Sequence, residues 1–270
     1  MKEVKPNPCI GCGVQCCSQL LVDVCGYDAW RIARGLGVKP TEFLAYAEPH
    51  NETPYDFQLD GSGKSYALIL NNMVERPDGS LRCIFGLDLP RGQFRCGIYA
   101  WRPISCRAYP FVLQEGEVAI KPRALCPEGV WNLDDLDLTS LSEQLGGFEM
   151  EFCIYSLVVA RWNEQVAQQP PLEKLDFHPF LNYVMDVYEE LEKARSEVPS
   201  DAWPGIWLMW RESIASGADP LGSVGIESQP PRAWEQWLQD IHRVVEGTVS
   251  TGFVTERMKG KERTAEVCCV

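Results

Sequence analysis

The chain is 270 residues long, 45% hydrophobic, and carries a formal net charge of −13. That length can bury a core without covalent staples, and 12 cysteines in 270 residues stay well below the roughly 8–10% of short disulfide scaffolds. A surface of this charge repels phosphate, and no basic stripe interrupts it, which argues against a nucleic-acid partner.

The N-terminal "MKEVKPNP" lacks the apolar stretch of a secretory signal. The run "CIYSLVVA" is too short to span a membrane and leads into Arg161. Both observations imply a cytoplasmic protein without membrane contact, in a reducing compartment where clustered cysteines bind metal or do catalysis more often than they cross-link.

In chain order, the first feature is "CIGCGVQCC" at residues 9–17. Asp28 then caps a short helix, "AWRIARGLG", that ends at glycine. Pro40 occupies a first helical turn, leading "TEFLAYA". "SYALILNNMV" and "LRCIF" flank the "PDG" turn signal and predict a hairpin. "FVLQEGEVAI" predicts a tighter hairpin turning at Glu115 and Gly116.

Beyond about residue 130 the pattern becomes helical. Phe148, Phe152, Tyr155, Val159, Trp162 and Val166 step by four and three, making one apolar face. Phe180, Val184, Val187 and Leu191 repeat it, as do Trp234, Trp237, Ile241 and Val244. Trp203, Ile206, Trp207 and Trp210 form a shorter aromatic stripe, read as packing surface. Residues 216–231 read as a loop. The predicted class is therefore α+β, a hairpin-containing cysteine-rich metal-binding module over 1–130 followed by a mainly α-helical half over 131–255. Residues 256–270 read as a mobile tail.

Nine cysteines precede residue 130, and only Cys153, Cys268 and Cys269 follow. A disulfide framework suits the N-terminal knot poorly, because adjacent Cys16 and Cys17 cannot bond to each other without strain. Unligated core thiols suit Cys25 and Cys153, but not four thiols set among glycines. Metal ligation fits best: a C-x2-C spacing lets Cys9 and Cys12 converge on one ion, and Gly11 and Gly13 relieve the backbone there. Only three histidines exist, so the ligands should be chiefly thiolates, which points to zinc or an iron–sulfur cluster.

The remaining thiols lie in "CIFGLDLPRGQFRCGIYAWRPISCRAYPF" and "LCPEG". Together with the knot and with "GYDAWRIARGLG" as an Asp-x-x-Arg-Ile helix, these segments resemble the CxxCxxCC cysteine-cluster family of zinc- or iron-chelating proteins. The resemblance covers roughly residues 9–130. It implies a metal site built from Cys9, Cys12, Cys16, Cys17, Cys83, Cys96, Cys106 and Cys126, with Arg102, Pro103, Arg107, Pro110 and Phe111 matching around the last thiols. The knot here is C-x2-C-x3-C-C, one residue longer than the family's C-x2-C-x2-C-C.

Arg102 and Arg107 bracket Cys106. Either they pair with acidic groups of the fold, or they offset a thiolate cluster or grip an anionic cofactor. The family includes flagellin lysine N-methylases, so the resemblance also implies a protein-modifying methyltransferase acting on a protein substrate, with S-adenosylmethionine as donor. Against that stands the lack of a G-x-G-x-x-G loop or a C-x3-C-x2-C triplet. The reading is thus a metal-binding protein, iron–sulfur preferred over zinc, with the methylase and a purely structural zinc module as alternatives. Catalytic residues and oligomeric state stay open.

Overall fold

A computed structural model describes residues 16–196, apart from 72–73, 76–78, 91–92 and 173–174, together with Glu262–Arg263. The aromatic stripe at 203–210, the helix expected at 234–244, the loop at 216–231, Cys9, Cys12, Cys268 and Cys269 lie outside those residues, as does the side chain of Cys17.

A one-turn helix α1 (Cys16–Gln19) runs straight into a short strand β1 (Leu20–Leu21), which pairs in parallel with β11 (Glu262–Arg263). Helix α2 (Gly26–Leu36) follows and ends at Gly37, whose φ of 66° is a left-handed cap that glycine adopts without a Cβ penalty. The N-cap is Cys25, not Asp28. Asp28 sits inside the first turn and is completely buried. It caps a different helix altogether, described below.

Pro40 does open a helix, α3 (Pro40–Phe43), at the position where its missing N–H costs nothing. The helix is only one turn long, because "LAYA" becomes strand β2 (Leu44–Ala47). Strand β4 (Ser65–Leu70) lies between β2 and β3 (Phe57–Gln58), antiparallel to both, with Leu44 opposite Leu70 and Phe57 opposite Tyr66. Five of its six residues are buried, as a central strand covered on both faces requires. The expected hairpin exists, but it is built from β5 (Val74–Glu75) and β6 (Leu81–Arg82), while "SYALIL" belongs to the other sheet.

A fourth antiparallel pair, β7 (Gly86–Leu89) with β8 (Gln93–Cys96), was not evident from the sequence. A 3-10 turn (Tyr99–Trp101) and the five-residue helix α4 (Ile104–Ala108) lead to β9 (Phe111–Gln114) and β10 (Glu117–Ile120). At their turn Glu115 and Gly116 take φ values of 54° and 84°, the pair of positive angles that a tight primed hairpin turn needs.

Helix α5 (Leu138–Val166) spans 29 residues, and α6 (His178–Ser196) spans 19. Asp137 caps α5 by accepting the Ser140 N–H at 3.1 Å. Both apolar stripes are buried as read, with Phe148 partly exposed and Phe152, Tyr155, Val159, Phe180, Val184, Val187 and Leu191 all 1% exposed or less. The fold is α+β, with small antiparallel sheets first and two long helices after them. No helix among the described residues is long and apolar enough to cross a membrane.

The two halves share one core. Phe57 of β3 stacks on Phe180 of α6 with ring centroids 3.8 Å apart and 6° between planes. Trp162 sits edge-on to Phe180 at 5.5 Å. Helix α5 also completes the edge of β3: Asn163 accepts the Gln58 N–H at 2.8 Å, and the Trp162 indole donates to Gln58 O at 2.7 Å. Backbone groups of an edge strand are thereby satisfied by helix side chains. At the α2–α6 crossing a Cβ on Gly26 would stand 2.1 Å from the Tyr188 ring, so only glycine permits this approach.

Candidate metal centre

The β7–β8 hairpin organises two of the thiols. Cys83 stands just before it, and Cys96 ends it opposite Gly86. Gly86 N–H donates to Cys83 O at 2.9 Å and Gly97 N–H to Phe85 O at 2.7 Å, which folds each end into a tight turn. In the first turn the Phe85 N–H bonds to the Cys83 sulfur, and in the second the Ile98 N–H bonds to the Cys96 sulfur. Two amides, each two residues past its cysteine, thus point at two sulfurs within electrostatic range of each other. N–H donors of this kind favour the thiolate, the form that binds metal.

Two further thiols join them. Cys16 comes from α1 and acts electrostatically on Cys83 and Cys96, while Cys106 comes from α4 and is acted on by all three. Burial is the first cause that pushes the Cys83 thiol up to about 11, followed among the raising influences by Cys96 and Cys16. Cys106 is raised well above the ordinary thiol range by burial, then by Cys83, Cys16 and Cys96. Four thiols from separate elements therefore lie within electrostatic range of one another, Cys83 buried and the other three partly so, and holding them as thiolates needs positive charge. Among the described residues no group of three or more Cys, His, Asp or Glu stands at metal-holding distance.

Two arginines supply part of that charge. Arg82 lowers the Cys83 thiol and Arg102 lowers that of Cys96, each by opposite charge. Arg82 is held in place by hydrogen bonds to Gly86 O and Cys83 O and by Asp88 at 3.3 Å. Arg102 lies over the Tyr99 ring, 3.9 Å from its centroid. Arg107 lies over the Phe148 ring of α5, 5.0 Å from its centroid. Neither Arg102 nor Arg107 forms an ion pair among the described residues.

Cys126 is linked to the group through Tyr109. The Tyr109 hydroxyl accepts the Leu125 N–H and makes a side-chain hydrogen bond with Cys126. Burial first, and then the nearby Cys126 and Cys16, push the phenol up to about 12. Cys25 stands apart, completely buried, its thiol donating to Asp28 at 3.7 Å. Cys153, expected to be an unligated core thiol, is buried on α5 but disulfide-bonded. None of Cys16, Cys25, Cys83, Cys96, Cys106 and Cys126 is its partner.

Among the described residues the candidate donors are all sulfur, Cys83 buried and the others half-buried. His50 is exposed, and His178 on its exposed helix end bonds to Asp176 at 2.7 Å. Soft thiolate donors of this kind suit zinc or iron–sulfur and disfavour hard cations. Residues 8–127 match the sequence profile of the CxxCxxCC family, described as a "Putative zinc- or iron-chelating domain". That stretch of the chain is similar to the CxxCxxCC domain. The matched stretch ends just past Cys126 and leaves α5 and α6 outside it. No curated protein and no solved structure matches the chain.

Three contributors escaped the sequence reading. Arg82 sits in an unremarkable "LRC", and Ser105 hydrogen-bonds to Asp23 O at 2.8 Å. The third is the partner of the Asp28–Arg31 pair: the i,i+3 spacing of the Asp-x-x-Arg-Ile motif places both side chains on one helical face, but does not show that this face reaches the loop before Cys106.

Proposed function

We propose that the CxxCxxCC-like region holds a thiolate-ligated iron–sulfur cluster. Cys16, Cys83, Cys96, Cys106 and Cys126 are the described candidates for ligands, and Cys9, Cys12 and Cys17 complete the pool. The observation that carries this reading is the pair of N–H···S turns at Cys83 and Cys96, one just before the β7–β8 hairpin and one at its end.

Iron–sulfur is preferred to zinc because of charge. A thiolate-ligated cluster is net negative, and its potential depends on nearby hydrogen bonds and charges. Arg82 and Arg102 stand beside two of the thiols, where they offset such a charge. Bound there, the group would supply one-electron redox chemistry, whereas zinc would brace the module. The protein's part is to keep the sulfurs desolvated, aim the Phe85 and Ile98 amides at two of them, and hold two guanidiniums nearby. No observation among the described residues favours the methylase reading over a metal-holding one.

The test is anaerobic purification with iron, sulfide and zinc analysis. The expected sample is brown, with broad absorption that bleaches on reduction. A colourless protein with stoichiometric zinc and no sulfide decides for the zinc site.

A further inference from the structure

We propose that Asp28 and Arg31 form a buried clamp whose role is to position the loop between Cys96 and Cys106, and so to bring Cys106 to the other thiols. The proposal rests on the metal-holding reading for its purpose, but its geometry stands by itself. Arg31 donates to three successive carbonyls, Ala100 O at 3.4 Å, Trp101 O at 3.3 Å and Arg102 O at 2.6 Å. These are the carbonyls at the end of the 3-10 turn, where backbone acceptors lack internal partners. Its guanidinium also donates to Asp28 at 3.0 Å. The second Asp28 oxygen accepts the Ile104 N–H at 2.8 Å, at the first residue of α4. One face of α2 therefore satisfies both ends of the Arg102–Pro103 link.

An ion pair this buried, with side-chain exposures of 11% and 0%, is weak evidence of added stability, since apolar residues of similar volume often serve as well. An apolar pair cannot select one register of a loop backbone. Arg31 and Asp28 can, because each of their bonds goes to a different backbone group between residues 100 and 104. Helix α4 has five residues, too few to hold its own conformation in water. Its place, and that of Cys106 within it, must be set from outside.

The test uses the full chain and the Arg31→Lys variant, which keeps the charge beside Asp28 but loses the fork that reaches three carbonyls. Maleimide labelling of the metal-free protein, resolved by mass spectrometry, reads Cys106 against Cys25, the buried thiol on the clamp's own helix end. A positioning role predicts about tenfold faster labelling of Cys106 with Cys25 unchanged, together with roughly tenfold weaker zinc affinity by chelator competition, the usual scale for lost outer-shell support. Equal acceleration at Cys25 and Cys106 marks general destabilisation and overturns the clamp, as does wild-type labelling at both. A wild-type chain that takes up neither zinc nor iron overturns the metal reading instead, and the labelling ratio, read without metal, separates the two failures.

Discussion

The aromatic core and the thiol face of this molecule are held by different forces. Between β3, α5 and α6 the contacts are rings on rings, such as Phe57 on Phe180, and their stabilisation scales with apolar area removed from water. Around Cys83, Cys96 and Cys106 the strands are two to four residues long, and the backbone is held by side chains, Arg31, Asp28, Arg82 and Ser105. Area-based stabilisation tolerates small shifts, whereas a set of directed hydrogen bonds fixes position with little surplus energy. A core built the first way can serve as the rigid base for a site built the second way.

The sharpest break of that contrast is Phe180→Ala. Phe180 is fully buried and stacked between Phe57 and Trp162, so its truncation should cost about 3–5 kcal/mol, measured by urea unfolding. Helices and thiol face should melt together, because they share one core; a thiol face that survives loss of the helices would separate them.

Asp28 should make stability fall as pH rises. Burial raises its carboxyl from 3.8 to about 6, against the lowering effects of the Ile104 N–H and Arg31, while Glu151 adds to the rise. The folded state thus binds the proton more tightly than the unfolded chain, so the relief from a buried charge is complete below the unfolded value and is lost as pH climbs through about 6. The full span is roughly 3 kcal/mol. Subtracting the stability curve of Asp28→Asn from that of wild type between pH 4 and 7 should isolate this slope, and parallel curves would refute it.

Gly26→Ala should cost about 1–3 kcal/mol by driving a methyl into the Tyr188 ring. Thermal melting should register it without loss of metal binding, since the crossing belongs to the core. The smallest effect on folding is expected for Cys96→Ser. Cys96 is partly exposed, so the metal-free protein should change by under about 0.5 kcal/mol, while metal content, by elemental analysis, should drop. Cys25→Ser should do the reverse, lowering stability and sparing metal. If both cysteines behave alike, the division between core thiol and ligand thiol is wrong.

Legibility in the sequence followed the range of the interactions. The stripes of α5 and α6, the Glu115–Gly116 hairpin turn and the Gly37 helix end were readable, because periodicity and turn chemistry depend on neighbours a few residues away. The split of "SYALIL" from the hairpin after it was not, because a strand's partner is chosen by burial: β4 is apolar along its length and goes to the centre of a sheet that covers both faces. The β7–β8 hairpin was missed for a related reason. In its first strand, "GLDL", the three successive residues Leu87, Asp88 and Leu89 are all exposed, so burial gives no alternation to read.

The cysteine inventory, the scarcity of histidine and the spacing of "RCGIYAWRPISCRAYPF" determined from the sequence alone that thiolate chemistry is concentrated in the first 130 residues. Only the tertiary structure decided how Cys16, Cys83, Cys96 and Cys106 come to act on one another, and that Asp28, readable as an ordinary helix cap, instead reaches 76 residues along the chain to the start of α4. The physical reason is that composition and local pattern fix which groups a segment offers, while the partner that satisfies a buried charge or a loop carbonyl is whichever distant group the packed core brings within hydrogen-bond reach.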